Sequence, residues 1–145
     1  KNVYAADVSE KARTLAKEIG AADVVSDIKD LADKDLDLIV DYAGFGVTTS
    51  DALEIVKPGG TVVLVGMGKL ETTINTTSFI TGAKKLVANV GGTPKDIADI
   101  YELMTAGKLT PKLTKISFKD IPEGLEKLKA GEVQGRLVAV YDGDE

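Results

Sequence analysis

An α/β fold with a mostly parallel, doubly wound sheet is what this 145-residue sequence predicts. Three observations carry that expectation. Apolar, β-branched runs alternate with helical patterns of about 10–12 residues, as in consecutive βαβ units. The runs "DLIV" and "TVVLV" are nearly all apolar, so they suit strands covered on both faces. Glycine follows several runs directly, where parallel sheets turn their chain and bind their ligands.

Asn2–Ala6 reads as a buried strand, with Asp7 at its end. Ser9 is a good N-cap. Ala12, Leu15, Ala16 and Ile19 follow at helical spacing, and Gly20 stops the helix. A second strand is expected over Asp23–Ser26 and a third over Leu36–Tyr42. Ser50–Lys57 reads as a short helix, ended by Pro58 and the glycines of "KPGG". "TVVLVGM" is the fourth strand. Thr72–Thr76 reads as an edge strand with one polar face, and Phe79–Lys84 as a short helix. "KLVANVGG" is the fifth core strand. Thr93 then caps a helix with Pro94 at N1 and Asp96 at N3. Ile97, Ile100, Tyr101 and Met104 line one face of it, and Gly107 ends it. "LTKISF" is strand-like. Asp120 is expected to cap the last helix, with Glu123 at N3 and Gly131 at its end. "GRLVAVY" is a final strand and "DGDE" a polar tail.

The net charge of −5 argues against nucleic acid or an anionic membrane as the main partner, since both need a basic face. The lysines at 84–85 and 108–115 read as solvated surface. The chain has no Cys and no His, which removes disulfides, thiolate chemistry, two of the usual zinc ligand types and the usual general base near neutral pH. No apolar run approaches the roughly 20 residues of a membrane helix. No signal-peptide pattern precedes the first strand, and a cytoplasmic setting is expected. Lys1 stands almost at the edge of a strand, an abrupt start that reads as a fragment of a longer protein.

Doubly wound sheets bind ligands at the carboxyl ends of their strands. The segments to read for function are therefore Asp7–Ser9, Ala43–Gly46, Gly66–Gly68 and Val90–Thr93. Their glycines either only turn the chain or let the backbone approach a ligand and present N–H groups to it. Asp7 is either a favourable charge at a helix N-terminus or a carboxylate that accepts both hydroxyls of a ribose. In the second role its charge would repel a 2′-phosphate and favour NAD over NADP. "KPGG" after a helix suits nucleotide-dependent dehydrogenases. It also suits methyltransferases that use S-adenosylmethionine.

The stretches "DVSEKARTLAKEIGA", "DLIVDYAG", "LEIVKPGGTVVLVGM", "VGGTPKDIADIYELMTAGKLTP" and "FKDIPEGLEKLKAGEVQGRLV" come in the order and spacing of one family. Together they resemble the coenzyme domain of the medium-chain dehydrogenase/reductase family, most closely its zinc-dependent alcohol dehydrogenases. The resemblance covers essentially the whole chain. It implies a single partial NAD(P)-binding domain of Rossmann-like fold, spanning residues 1–145, and hydride transfer between NAD and an alcohol or carbonyl carbon. Asp7 looks like the residue that holds the adenosine ribose, with Lys11 near the family's basic position beside it. Ala43 and Gly44 resemble the loop beside the adenine. Val65, Gly66 and Met67 resemble the backbone facing the nicotinamide carboxamide, and Val90 and Gly91 the next such stretch. Arg136 resembles the arginine that meets the pyrophosphate. Thr72–Thr76 resembles the edge strand by which family members extend a sheet across a dimer, so a homo-oligomer is implied.

The departures matter as much. The family's catalytic zinc is held by Cys and His, which this chain lacks; the zinc belongs to a catalytic domain that is absent here. The family's first strand, glycine-rich phosphate loop and most of its first helix are missing as well. In the order 3-2-1-4-5-6 that strand is central. Its loss would orphan one edge of Asn2–Ala6 and one of Leu36–Tyr42. Three resolutions are open: the missing piece lies outside this sequence, the two strands pair directly, or another chain fills the position. Direct pairing or a partner is the expectation. The expected function is thus the cofactor-binding part of an NAD-dependent alcohol dehydrogenase, inactive alone. A zinc-free quinone reductase of the same family, a methyltransferase and a non-catalytic interaction module are the alternatives.

Overall fold

In the computed structural model, which describes residues 2–141, every strand pair is parallel. The polar tail lies outside those residues. The chain packs as two compact units, residues 1–91 and 92–145.

The first unit contains β1 (Tyr4–Ala6), α1 (Glu10–Glu18), β2 (Asp23–Val25), a 3-10 turn (Ile28–Leu31), β3 (Leu38–Asp41), α2 (Val47–Ile55), β4 (Thr61–Leu64), α3 (Thr76–Thr81) and β5 (Lys85–Ala88). Its strands form two sheets, β1-β2 and β3-β4-β5. One strand set between β1 and β3 would give the order 3-2-1-4-5-6 of a doubly wound sheet. β1 and β3 do not pair with each other, so the expected direct pairing does not occur. What touches β1, β2 and α2 instead is the 3-10 turn, whose Leu31 is 3% exposed. The β1-β2 pair is thus held by side-chain packing on that turn and not by a shared ladder.

The core belongs to the three-stranded sheet. Ile39, Ala52, Leu53, Val56 and Val62 form one buried cluster. β4 is paired on both edges, and Val62 at its centre is fully buried. The apolar reading of β3 promised cover on both faces, but burial alternates. Ile39 and Asp41 are buried, while Leu38 is 56% and Val40 37% exposed.

Several boundaries move for local reasons. Thr72–Thr76 is not a strand: the chain there is irregular, Thr72 donates its hydroxyl to the Gly46 carbonyl at 2.7 Å, and Asn75 caps α3 through Ser78 N–H. α3 therefore starts before Phe79. α2 starts at Val47 because Gly46, with φ of 79°, makes the turn into it. Lys84 is not plain solvated surface. Its ammonium donates to the carbonyls of Leu53 and Glu54 at 2.7 and 2.8 Å, where α2 leaves carbonyls unpaired.

The second unit holds α4 (Pro94–Thr105), β6 (Leu113–Ser117), a 3-10 turn (Phe118–Asp120), α5 (Ile121–Lys129) and β7 (Arg136–Val140). α4 begins with the expected capping box between Thr93 and Asp96. Asp120 occupies the N-cap position of α5 but makes no side-chain cap, because the turn before it already curls the backbone. Gly124 of α5 is buried where a Cβ would come 2.9 Å from Ile116 of β6.

Candidate functional site

The strands β3, β4 and β5 end level, since Asp41 pairs with Leu64 and Leu64 with Ala88. Their following loops therefore leave one edge of the sheet side by side. The loop after β3 is built around Asp41, which is 7% exposed. Its Oδ1 accepts the N–H groups of Ala43 (3.0 Å) and Gly44 (2.9 Å). Its Oδ2 accepts the hydroxyls of Thr48 (2.9 Å) and Thr49 (2.7 Å), from the first turn of α2. Burial alone would push this carboxyl up. The hydrogen bonds from Gly44, Thr49, Thr48 and Ala43 outweigh it and hold the group below its ordinary value.

The loop after β4 is tied to the same residue. The Asp41 main-chain carbonyl accepts both Val65 N–H and Gly66 N–H at 3.0 Å. Gly68 N–H then donates to Ala43 O (3.1 Å) and Lys69 N–H to Gly44 O (2.8 Å). Gly44 and Gly66 meet backbone to backbone: a Cβ on Gly44 would collide with the Gly66 carbonyl, and Gly44 also has φ of 61°. Glycine is required at this crossing by the two loops themselves. The N–H groups of Gly44, Gly66 and Gly68 are all used inside the protein, so they are not the donors offered to a ligand that the sequence suggested.

At the end of β1, Asp7 is exposed. Its Oδ1 accepts Ser9 N–H at 2.7 Å, at the start of α1. Arg13, which the sequence reading passed over, donates to the Asp7 carbonyl at 2.6 Å. Lys11 is exposed in the first turn of α1. At the end of β5, Val90 is 94% exposed, and Gly91 has φ of 55° with its carbonyl accepting from the Asn89 side chain. Met67 is 85% exposed. Arg136 belongs to the other unit, where it opens β7; its N–H donates to Lys112 O, and its guanidinium to the Gly135 carbonyl.

The structure thus brings Ala43–Gly44 and Val65–Gly66 into one hydrogen-bonded cluster, with exposed Met67 next to it in the chain, and sets Val90–Gly91 on the neighbouring strand end. Asp7 stands on the separate β1-β2 sheet. Asp41, Thr48 and Thr49 were missed. The signal was present: an acid directly after the apolar run Leu38–Val40, followed by two hydroxyl residues, since a buried charge needs donors. A hollow of about 480 Å³ lies along α1 and one of about 570 Å³ along α4. Neither includes these loops, so the strand ends and not a cavity define the candidate site. Among the described residues no group of three His, Cys, Asp or Glu could hold a metal ion, and no helix is long and apolar enough to cross a membrane.

Residues 2–106 match the family model described as zinc-binding dehydrogenase. An NAD-dependent alcohol dehydrogenase of Sulfolobus acidocaldarius is 30% identical over 145 residues, spanning 94% of this chain and 42% of the relative. An alcohol dehydrogenase of Geobacillus stearothermophilus is 27% identical, again over 94% of this chain and 42% of that protein. Among solved structures, acetophenone reductase from Geotrichum candidum in complex with NAD superposes with a TM-score of 0.87 at 32% identity, over 95% of this chain and 41% of that one. An alcohol dehydrogenase from Aeropyrum pernix shares the fold, with a TM-score of 0.86 at 24% identity over 96% of this chain and 42% of its own. The chain spans less than half the length of the relatives it matches.

Proposed function

The chain belongs to the zinc-binding dehydrogenase family, and from that premise we propose that it is the cofactor-binding part of an NAD-dependent alcohol dehydrogenase. The observation that carries this reading is the parallel strand order of residues 1–91. Asp7, Ala43–Gly44, Val65–Met67 and Val90–Gly91 all stand at strand carboxyl ends, where doubly wound sheets bind nucleotides. When bound, NAD takes or gives the hydride.

The roles of the chain's own residues are those that the family resemblance implies at their positions. Asp7, exposed and held by Ser9 N–H, accepts the ribose hydroxyls and by its charge favours NAD over NADP. Lys11 lies beside that ribose. Ala43 and Gly44 flank the adenine, while the backbone of Val65–Met67 and Val90–Gly91 orients the nicotinamide. Arg136 meets the pyrophosphate. An alcohol or carbonyl compound is the substrate of the whole enzyme; with no strand at Thr72–Thr76, that segment offers no sheet edge to a second copy. The chain's own side chains do not fit zinc, for it has neither Cys nor His. In this reading the zinc is held by other parts of a longer polypeptide. The methyltransferase alternative falls with the family match. The alcohol dehydrogenases among the relatives favour an alcohol over a quinone.

The test is a titration of this chain with NAD followed by amide shifts in NMR and by calorimetry. Binding weaker than micromolar is expected, because the resemblance implies that the family's phosphate loop and its helix N-terminus are not among these residues. Shifts should concentrate at the strand ends named above and vanish in Asp7→Ala. Micromolar affinity, or shifts confined elsewhere, would overturn the reading. No alcohol oxidation is expected from this chain alone.

A further inference from the structure

We infer that Asp41 is the positioning residue of this site: it locks the loop after β3 and the loop after β4 into one rigid platform for the cofactor. The inference rests on the proposed function for its ligand, but not for its geometry. A positioning role needs one residue that reaches both loops, and Asp41 does so with two groups, its carboxylate and its main-chain carbonyl. Its carboxylate takes the N–H groups of Ala43 and Gly44 and the hydroxyls of Thr48 and Thr49. Its carbonyl takes Val65 and Gly66.

The second link is indirect. With Ala43 and Gly44 held by Oδ1, their own carbonyls are aimed at Gly68 N–H and Lys69 N–H. The carboxylate thereby sets the loop after β4 without touching its far end. Gly44 and Gly66 allow the backbones to close on each other to a distance no side chain permits. Thr72 extends the tie by donating to Gly46 O from the segment beyond.

The chemistry of the donors also fits a locking role. All are neutral, and no ion pair to Asp41 occurs among the described residues. Neutral N–H and hydroxyl donors fix a carboxylate by direction as well as by charge. A buried, ionised group without a countercation is costly where only packing is needed. An apolar residue at the end of β3 would cover the core as well and keep the main-chain bonds from Val65 and Gly66, but it could not hold the loop after β3.

The test is amide hydrogen exchange by NMR on this chain, with and without millimolar NAD. In Asp41→Ala, exchange at Ala43 and Gly44 is expected to quicken at least tenfold. Gly68 and Lys69, which do not bond the side chain, should quicken with them. Val62 and Val63 in the β4 ladder report on global opening, and the quickening at Gly68 and Lys69 should exceed theirs. Asp41→Asn can still accept from Ala43 and Gly44, and it should restore most of the protection at Gly68 and Lys69. NAD-induced shifts at residues 65–67 should shrink at least threefold in the Ala variant and recover in the Asn variant. Should Asp41→Ala fail to fold, Thr49→Val removes one donor to Oδ2 and should loosen the same amides to a smaller degree. Quickening confined to Ala43 and Gly44, or no rescue by Asn, would overturn the inference. If NAD moves no wild-type amide, the proposed function fails, while the exchange pattern still decides whether Asp41 locks the loops.

Discussion

Helices α1 and α2 are each 9 residues long, and by local rules α1 is the better helix. Ser9 caps it through Ala12 N–H, Glu10 stands in its first turn and Lys17 in its last. α2 follows Gly46 without a side-chain cap and carries no charge of its own against its dipole; only Lys84, from outside the helix, meets its C-terminal carbonyls. Yet α2 buries Thr49, Ala52 and Leu53, while α1 buries nothing. The difference lies under the helices. α2 packs on β3 and β4, and β4 has a strand on each side. α1 packs on the β1-β2 pair, which has no third strand among the described residues. A two-stranded sheet is marginal by itself. Helix stability in a protein comes mostly from such packing and less from propensity.

The largest expected effect separates these two regions directly. Leu53→Ala empties a site that is 4% exposed and should cost about 2–5 kcal/mol. Leu15→Ala, on the half-buried face of α1, should cost about 1 kcal/mol. Urea denaturation of both variants measures the contrast. Equal losses would mean that the β1-β2 region carries as much of the fold as the three-stranded sheet does.

Glycine substitutions sharpen the same contrast. Gly44→Ala meets both a positive φ and the Gly66 backbone, and should cost about 3 kcal/mol or displace the loop. Gly20→Ala, after α1, has φ of 108° and nothing within 4 Å of the added methyl. Only the backbone cost of about 1–2 kcal/mol applies there. Thermal melts of the two variants, with amide shifts at residues 65–68 as a local reporter, test this. Undisturbed shifts in Gly44→Ala would break the crossing described between the loops.

These contrasts also mark what the sequence could reveal. The parallel α/β class was legible, because strand and helix periods alternate and the capping residues Ser9 and Thr93 do what their types suggest. The ends of β3, β4 and β5 were legible from the apolar runs and the glycines that follow them. The Thr72–Thr76 strand was not, because β propensity says nothing about whether a neighbour offers a ladder; here Thr72 and Asn75 use side chains on local backbone instead. The role of Asp41 was hidden for a related reason. Its partners lie at positions 43, 44, 48 and 49, and only the turn at Gly46 folds the last two back onto it. The glycines at 44 and 66 were read toward a ligand, when their first requirement is each other.

A pH series tests the electrostatic side of the β3 region. The folded carboxyl of Asp41 lies below its ordinary value, so it binds its proton more weakly folded than unfolded. Its contribution is therefore present above the ordinary aspartate value of about 3.9 and is lost as pH falls through the lower folded value. At neutral pH, Asp41→Asn should lower stability by about 1–2 kcal/mol, the scale of a hydrogen bond to a charged group. Urea midpoints of wild type and variant should converge as pH drops below about 4. A gap that stays constant down to pH 3 would show that ionisation of Asp41 contributes nothing.

The smallest effect is expected at Ser9, and its locality is the point. Ser9→Ala removes the acceptor for Ala12 N–H, which should cost about 0.5–1 kcal/mol of α1. Because α1 buries no residue, most of that loss should appear as local opening and not as unfolding of the chain. Exchange across Glu10–Glu18 should quicken severalfold, while Val62 and Val63 and the urea midpoint stay nearly unchanged. Ser9→Asp keeps an oxygen acceptor and adds a charge at the helix N-terminus, so it should hold or improve protection. A drop in global stability equal to the local one would mean that α1 and the three-stranded sheet open together. The difference in burial between the two regions would then not be a difference in cooperativity.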